Sequence, residues 1–226
     1  MKKLLLFFFL FFTLISLSKA QNIYFYDWGL KTALLNNGVD LNFDGEISYD
    51  EVSVVDSLDI SGYWIFNVQE LGYFFNLQYL NCSNNSISSL PFLPSLRKLN
   101  CSGNYLQSLD LNYFFNLEVL DCSFNPLRVL KIDFHSLSEL YCSNTDLTAL
   151  YIGSAFDLKK LDISYNSKLR KVCSYPFYDL RSRIPVNDFG SPYVSYETQC
   201  CPHYVDIVSQ NLTCHNSNDG YIEITS

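Results

Sequence analysis

Hydrophobic residues return at a fixed spacing through the middle of the chain. From Leu77 the order is leucine, two variable residues, leucine, one variable residue, cysteine, two variable residues and asparagine. Further copies start at Leu96, Leu117, Leu137 and Leu158, so the period is 19 to 21 residues. Alternation between inward and outward positions predicts one short strand in each copy. A period of this length predicts coils stacked into a solenoid, with a parallel strand from every coil.

We number the positions of each copy from its first leucine. Positions 1, 4 and 6 are expected to face the core, because the next coil covers that side of the strand. The residue at position 9 is expected inside the turn, where an amide can bond backbone groups that neighbouring coils leave unpaired. Thr145 holds this position in the fourth copy and is expected to form fewer of these hydrogen bonds to the backbone. The other copies carry asparagine: Asn85, Asn104, Asn125 and Asn166.

Further hydrophobic residues extend the pattern. A weaker copy with Leu58 at position 4 comes first and is expected to cover the open end of the core. A second apolar pair, such as Leu130 and Ile132, closes most turns. Residues three positions ahead of the first leucines predict a spine on the convex side: Phe74, Leu93, Phe114, Phe134 and Ala155.

Cysteine occupies position 6 in four copies. Ile163 takes this position in the fifth copy, and cysteine is among the most buried residue types, so a ladder of buried, unreactive thiols is the favoured interpretation. Thiols stacked at intervals of about 5 Å are also compatible with a soft-metal or redox ladder. The four residues are Cys82, Cys101, Cys122 and Cys142.

The outward positions of the strands form the candidate binding surface. Positions 3, 5 and 7 are expected to project from the concave side, where solenoids usually contact their ligands. Serine fills position 7 in all five copies, whereas positions 3 and 5 vary. Such a surface suits a protein or glycan partner, and the alternative is a solvated face without a partner. The candidate ligand-binding residues are Tyr79, Asn81, Lys98, Asn100, Asp121, Glu139, Tyr141, Lys160 and Asp162.

A second motif precedes the repeats. Residues 40–51 match the spacing of an EF-hand calcium loop, with Gly45 at its sharp turn and helices expected on both sides. We expect a structural Ca²⁺ ion that stiffens an N-terminal cap; the alternative is an acidic turn that binds no metal. The candidate calcium ligands are Asp40, Asn42, Asp44, Glu46 through its carbonyl, Ser48 and Glu51.

The N-terminus and the charge indicate export. Two lysines precede an apolar stretch from Leu4 to Leu17 and a small-residue cleavage site before Gln21, as in a secretory signal peptide. The stretch is shorter than the roughly 20 residues of a membrane span, and no mature transmembrane segment is expected. The net charge of −8 becomes −11 without the three lysines of residues 1–20, which disfavours nucleic acid and anionic membranes as partners.

The remaining cysteines follow the ladder, and exported cysteines of this kind tend to pair. A bridge from Cys173 to Cys200 or Cys201 would attach the tail to the open end of the solenoid, but the spacing leaves the connectivity with Cys214 open. Together with His203 and His215, these cysteines superficially resemble zinc ligands. Adjacent cysteines fit the usual ligand spacing poorly.

Catalysis is not expected from this sequence. None of the histidines lies near a candidate nucleophile or a carboxylate pair on one predicted surface. Asp121 and Asp162 belong to strands two apart in the predicted sheet, roughly 10 Å from each other. No catalytic residues are therefore assigned.

The order of these motifs resembles that of secreted leucine-rich-repeat proteins of the Bacteroidetes, particularly flavobacteria. The calcium-type loop and the repeat Leu-x-x-Leu-x-Cys-Ser-x-Asn carry the resemblance. Residues 205–226 resemble the opening of repeats in gliding adhesins of that group. The resemblance implies type IX secretion to the cell surface, although no sorting domain is recognised before Ser226, which suggests a truncated chain.

These observations predict an α/β solenoid of leucine-rich repeats with parallel concave strands, a short helical calcium-loop cap and a small β-rich C-terminal segment. The expected parts are a signal peptide (1–20), the cap (21–54), repeats (55–173), a C-terminal cap or linker (174–204) and an adhesin-like start (205–226). The predicted function is non-enzymatic recognition of an extracellular protein or glycan in adhesion, at the cell surface or after secretion. The alternative is a structural spacer or the targeting portion of a larger secreted protein or extracellular enzyme.

Overall fold

The computed structural model describes residues 21–153, 157–174 and 184–197. The expected signal peptide, Ala155, the adhesin-like tail and the cysteines and histidines after Cys173 lie outside the described residues. In the described part, two parallel sheets run along a solenoid, and two helices precede its first strand.

The first sheet takes one strand from each coil. Strand order along this sheet follows the chain, and all neighbouring strands pair in parallel. The register aligns Leu58 with Leu80, so the weak first copy is a coil of the solenoid, and it aligns Leu161 with Val186 in a coil beyond the fifth copy. The strands are β1 (Ser57–Asp59), β2 (Tyr79–Asn81), β3 (Lys98–Asn100), β4 (Val119–Asp121), β6 (Glu139–Tyr141), β8 (Lys160–Asp162) and β10 (Val186–Asn187).

A second parallel sheet forms where the sequence shows short apolar pairs. Leu130 and Ile132 align with Leu150 and Ile152 of the next coil, and all four side chains are buried. The sequence pattern does not predict these strands, because two inward residues are too few to establish a strand period. The strands are β5 (Val129–Ile132), β7 (Ala149–Ile152), β9 (Lys171–Ser174) and β11 (Ser195–Glu197).

The core consists of the inward positions of successive coils. The leucines at positions 1 and 4 and all four ladder cysteines are buried, with the thiol residues fully so. The spine residues that the structure describes are buried in the same hydrophobic cluster. Burial raises the pKa of the Cys82 thiol to about 12, and it raises the pKa of the other ladder thiols as well. Without a bound metal the thiols are therefore protonated at neutral pH, as expected for core residues.

The position-9 asparagines connect neighbouring coils. Asn104 Nδ2 donates to the carbonyls of Cys82 and Cys101, both at 3.0 Å, and so bridges two coils. Its Oδ1 accepts a hydrogen bond from the backbone N–H of Ile87 in the preceding coil. Both amide groups are thus used in the way that the sequence pattern predicts.

Thr145 departs from this arrangement as expected. Its hydroxyl donates to Asn166 Oδ1 at 2.6 Å and lies 3.4 Å from the Cys142 carbonyl. Within the described part of the chain, the Thr145 side chain makes no bond to the preceding coil of the kind that Asn104 makes to the Cys82 carbonyl. A hydroxyl has a single hydrogen to donate, whereas an amide has two.

Two helices form the cap that precedes the repeats. Helix α1 (Trp28–Asn36) starts at Asp27, whose Oδ1 accepts from Leu30 N. Asp27 Oδ2 accepts from the backbone N–H groups of Phe66 and Asn67, which ties the start of α1 to the first coil. Helix α2 (Tyr49–Val52) is a single turn with a capping box. A 3₁₀-helix spans Gln69–Tyr73.

The flanks of the calcium-type loop are therefore unequal. The helix before the loop spans nine residues, whereas the helix after it spans four and ends before Val54, whose side chain is exposed. A helix is present on each side of the loop, as expected, but the second one is a single turn. The short path to β1 at Ser57 explains this, because the chain must become extended within a few residues.

The C-terminal segment continues the solenoid as far as it is described. Strand β10 adds to the first sheet and β11 adds to the second, so the β-rich segment extends both sheets. Cys173 at the end of the repeats is buried and disulfide-bonded. Among the described helices, none is long and apolar enough to cross a membrane.

Candidate ligand-binding face

The outward side chains of the first sheet line a shallow groove of about 450 Å³. We call this surface the strand face and define it by positions 3 and 5 of β2, β3, β4, β6 and β8. At position 3, Tyr79, Lys98 and Lys160 are exposed, whereas Val119 and Glu139 are half-buried. The groove extends from β1 across to Tyr141 of β6. Six of the nine candidate residues named from the sequence line this groove. Glu139, Lys160 and Asp162 do not line it, but they continue the same positions on β6 and β8 of the sheet.

The position-5 side chains have a second task that the sequence pattern does not reveal. The Oδ1 atom of Asn81 accepts a hydrogen bond from the N–H of the residue two places further on, at 3.2 Å. Asn100, Asp121 and Asp162 do the same at 3.0 to 3.1 Å. Each of these Asx turns ends a strand and redirects the chain. The second polar atom remains available to a ligand in Asn100, Asp121 and Asp162, whereas that of Asn81 donates to Asp59.

Asp59 of β1 belongs to the same series. Partial burial pushes the pKa of its carboxyl upward, but hydrogen bonds from Ser61 and Asn81 outweigh this and lower the pKa. Asn81 Nδ2 donates to Asp59 Oδ2 at 3.0 Å. Each oxygen of Asp59 therefore already accepts a hydrogen bond within the protein.

Tyr141 is the exception at position 5. Its hydroxyl donates to Glu139 Oε2, and Lys160 Nζ donates to the same hydroxyl at 2.9 Å. Lys160 Nζ also lies 4.7 Å from the centre of the Tyr141 ring. The hydrogen bond to Tyr141 raises the pKa of Lys160. A tyrosine, an acid and an amine thus hold each other in place on β6 and β8.

Tyr79 and Lys98 form a second, looser pair. Lys98 Nζ lies 5.4 Å from the centre of the Tyr79 ring, within the range of a cation–π contact. Both side chains are exposed. The strand face therefore carries two aromatic and basic pairs, separated by Val119 on β4.

The expectation that position 7 projects into the groove was wrong. Ser83, Ser123 and Ser164 are buried, and Ser102 and Ser143 are half-buried. Their backbone N–H groups are held by the Asx turns or, for Ser143, by Ser123 Oγ at 3.1 Å. The chain has already turned inward at this position, so strand alternation no longer applies.

Position 8 is a second feature that the sequence-based expectations missed. It has a positive φ in every described coil, and most coils place glycine or asparagine there, namely Gly62, Asn84, Gly103, Asn144 and Gly190. Phe124 and Tyr165 also adopt this conformation, with φ of 54° and 56°, although 60% and 54% of their surface is exposed. A left-handed conformation costs a residue with a Cβ about 1–2 kcal/mol. The recurrence of Gly or Asn directly before position 9 is the sequence signal from which this left-handed conformation could have been predicted.

We expect Phe124→Asn to raise the free energy of unfolding by about 1 kcal/mol, because asparagine tolerates the left-handed region. Chemical denaturation of the variant and the parent measures the difference. Tyr105→Asn is the matched control, since Tyr105 is an exposed aromatic residue whose φ is not positive. An equal gain from both substitutions would show that backbone strain is not the cause.

In the calcium-type loop, three oxygen-bearing side chains converge. Asp40 Oδ1 and Asn42 Oδ1 both accept from the backbone N–H of Asp44, at 3.2 and 2.8 Å. Asn42 Nδ2 lies 3.2 Å from Asp44 Oδ2. Asp40 Oδ2 accepts from Gly45 N, which fixes the sharp turn. The chemistry of this donor set suits Ca²⁺, which prefers carboxylate and amide oxygens.

Glu51 is engaged elsewhere. Its Oε1 accepts from the N–H groups of Leu41 and Asn42, and its Oε2 accepts from the N–H and hydroxyl of Ser48. Burial pushes the pKa of this carboxyl upward, but the hydrogen bonds outweigh burial and lower it. Glu51 is therefore ionised at neutral pH and acts as a helix cap. Glu46 pairs with Lys31 through its side chain, which leaves its carbonyl to the loop.

The described residues do not bring three His, Cys, Asp or Glu side chains together in a metal-binding group. Some of the oxygen atoms in the loop belong to Asn42 and to the backbone. Glu51 accepts hydrogen bonds from the backbone N–H groups of Leu41 and Asn42. The second half of the loop is held by the N-terminal segment, since Ile23 N donates to Ile47 O at 2.7 Å. Asp121 and Asp162 lie on β4 and β8 with β6 between them, so they are two strands apart, as the sequence predicts.

The repeats match a known family over part of the chain. The family described as Leucine Rich repeats (2 copies) matches residues 76–113, which contain β2 and β3. The register of the first sheet carries the same repeat through the remaining coils. The fold is a leucine-rich-repeat solenoid.

Two solved structures from Listeria monocytogenes are similar to the chain. The functional domain of InlJ, described as including a cysteine ladder, has 19% identity and a TM-score of 0.47 over 73% of this chain. The internalin InlF has 17% identity and a TM-score of 0.48 over 80% of this chain and 67% of its own. The chain spans 44% of the InlJ domain, less than half of its length. No curated protein sequence matches the chain.

Proposed function

We propose that this chain is an extracellular or cell-surface binding module that recognises a protein or glycan through the strand face, in adhesion. The observation that carries the proposal is the groove of about 450 Å³ lined by the outward residues of successive strands. Its bordering aromatic and basic pairs combine apolar contact area with polar groups, which suits recognition. The leader-like N-terminus and the resemblance to flavobacterial surface proteins support export by type IX secretion.

The pattern of variation supports recognition as well. Inward positions repeat leucine and cysteine from coil to coil, whereas position 3 changes from tyrosine to lysine, valine, glutamate and lysine. Stability alone requires the first kind of position and leaves the second free. Two pairs, Tyr79 with Lys98 and Tyr141 with Lys160, are preorganised by contacts between neighbouring strands. Preorganised side chains lose less entropy when a partner binds.

The test is a binding screen of the full chain against arrays of glycans and extracellular proteins. We expect saturable binding that falls by about tenfold or more in Tyr79→Ala/Tyr141→Ala, since aromatic contacts of this kind contribute about 1 kcal/mol or more each. Tyr105→Ala/Tyr193→Ala is the matched control, because both tyrosines are exposed and do not line the groove. If no partner binds, or if both double variants bind equally, the strand-face proposal fails and the spacer alternative is favoured.

We further propose that residues 40–51 bind a structural Ca²⁺ ion. The ion would be held by Asp40, Asn42, Asp44, Ser48 and Glu51 together with the Glu46 carbonyl. Bound Ca²⁺ would supply positive charge between carboxylates and stiffen the turn. For Glu51 to take part, its hydrogen bonds from Leu41 and Asn42 must be released. That exchange favours the weak affinity typical of extracellular modules.

Calcium at 10 mM is expected to raise the Tm of the chain by about 3–8 °C, from a dissociation constant of 10⁻⁴–10⁻³ M. Thermal unfolding by circular dichroism, with calcium or with EGTA, measures this shift. Asp44→Asn should remove most of the shift, while Asp50→Asn should retain it, since Asp50 is a neighbouring acid outside the ligand set. An equal shift in both variants would identify a nonspecific charge effect.

A further inference from the structure

A second groove, of about 370 Å³, lies where the chain enters the strands of the first sheet. We call it the edge groove and define it by two rows of side chains. The residues directly before position 1 form one row: Asn76, Ser95, Asn116 and Ser136. The position-2 residues form the other: Gln78, Arg97 and Glu118. The edge groove shares no residue with the strand face, so a ligand bound there would be additional to the partner of the proposed function.

The hydroxyl and amide groups of the first row are fixed by the backbone. Asn116 Nδ2 donates to the Pro94 carbonyl at 3.2 Å, and Ser95 Oγ donates to the Phe75 carbonyl at 2.6 Å. The same contact recurs where Ser136 Oγ donates to the Phe115 carbonyl at 2.7 Å. These bonds use the serine hydroxyl hydrogens and one of the two hydrogens of the Asn116 amide. Within the described part of the chain, the acceptor oxygens of the three side chains stay free and are held in fixed positions. A ligand would therefore meet acceptors in set positions.

Gln78 supplies the complementary group. Its side chain is half-buried in the groove, and within the described residues its amide makes no hydrogen bond. A carboxamide offers two hydrogens and one acceptor oxygen. Neighbouring Arg97 and Glu118 form an ion pair, which neutralises the charges of the groove. The hydrogen bond that Arg97 donates to Glu118 raises the pKa of Arg97, so the guanidinium stays charged and paired.

Two exposed phenylalanines directly precede residues that line the groove. Phe75 and Phe115 directly precede Asn76 and Asn116, and 60% and 66% of their surface is exposed. They lie two coils apart, which corresponds to about 10 Å along the sheet. Between them, Pro94 holds the equivalent place in the intervening coil. The backbone carbonyls of Phe75 and Phe115 accept hydrogen bonds from the groove serines Ser95 and Ser136, so the backbone of both phenylalanines is anchored at the border of the groove.

We propose that the edge groove binds a neutral polysaccharide chain that runs across the coils. The rings of Phe75 and Phe115 stack against the C–H faces of sugars about two residues apart, and the groove's amide and hydroxyl oxygens accept their hydroxyl hydrogens. The unpartnered amide of Gln78 bonds a sugar oxygen or acetamido group between the rings.

The composition of the groove selects this ligand. The buried core of a protein interface is enriched in apolar and aromatic residues, whereas the lining residues of the edge groove are all polar. An anionic polysaccharide would need unpaired basic groups, and Arg97 is the basic lining residue, held by Glu118. A neutral sugar satisfies both features, because it presents hydroxyl groups at its edges and apolar C–H groups on its faces.

Affinity electrophoresis of the full chain through gels that contain soluble polysaccharides tests the proposal. The probes are β-glucan, glucomannan and glycol chitin as neutral chains, with alginate as the anionic comparison. We expect retardation by at least one neutral chain, a loss of tenfold or more in affinity for Phe75→Ala/Phe115→Ala, and a smaller loss for Gln78→Ala. Both phenylalanines are exposed, so circular dichroism should show an unchanged fold.

Two controls separate this site from others. Tyr105→Ala/Phe124→Ala removes two exposed aromatic residues whose backbone carbonyls accept no hydrogen bond from a groove residue, in contrast to Phe75 and Phe115, and should leave the retardation unchanged. Tyr79→Ala/Tyr141→Ala should also leave it unchanged, which separates this site from the strand face. Retardation by alginate alone, no retardation by any neutral chain, or equal losses in the groove and control variants would each overturn the proposal.

Discussion

Asn125→Ala is expected to lower the free energy of unfolding by about 3–5 kcal/mol, because one substitution leaves several buried backbone groups without partners. Asn125 is 3% exposed, and its Nδ2 donates to the carbonyls of Cys101, Cys122 and Ser123 at 2.9 to 3.2 Å. Its Oδ1 accepts from Leu106 N at 2.9 Å. Alanine fills part of the space but offers no donor or acceptor. A loss of this size is a large fraction of the stability of a domain.

Urea denaturation at neutral pH measures the effect. Asn112→Ala is the matched control, since Asn112 is exposed and its side chain makes no hydrogen bond in the described structure, and it should change stability by less than about 0.5 kcal/mol. The reverse substitution, Thr145→Asn, tests the same hydrogen bonding, because it introduces the amide side chain at the position 9 that carries threonine. If Asn125→Ala costs no more than Asn112→Ala, the amide ladder does not hold the coils together.

The sequence predicts the solenoid because each inward position recurs. Leu80 and Leu99 pair in the sheet because equal spacing of the repeats produces equal register. Asn104 occupies the turn because its carboxamide can hydrogen-bond the backbone carbonyls of two coils at once. Position 4 of the first copy, at Leu58, follows the same rule despite a weaker motif. Periodicity is a global constraint, so one irregular copy does not change the fold.

The candidate site was less predictable, because hydrogen bonding by a polar side chain depends on local backbone geometry. Asp121 and Asn100 look free in sequence, yet each gives one oxygen to an Asx turn. Phe124 looks like an ordinary surface residue until its positive φ is known. Glu51 matches a calcium ligand in spacing but caps α2 through Ser48. Spacing specifies which residues are near each other, and the backbone decides which of their atoms are used.

The ladder thiols are expected to react with iodoacetamide at least about a thousandfold more slowly in the native chain than in guanidinium. Each of the four is fully buried and free, so reaction requires the solenoid to open. Burial also raises the pKa of Cys82 to about 12, which suppresses the reactive thiolate. Mass spectrometry of labelled peptides reads each site separately. Ser88→Cys places a thiol at an exposed position and serves as the internal standard for rapid labelling.

The same labelling distinguishes packing from metal binding. A soft metal held by Cys101 and Cys122 would require thiolates, and removal by a chelator would then expose those thiols without unfolding. Packed thiols remain protected in EDTA, because desolvation and not a ligand bond keeps them unreactive. Desolvation is also the leading cause of the raised pKa at Cys122. If the thiols are labelled only in denaturant and stay protected in chelator, the result supports a ladder of packed core thiols. If chelator alone makes the thiols reactive, a metal must be bound along the ladder.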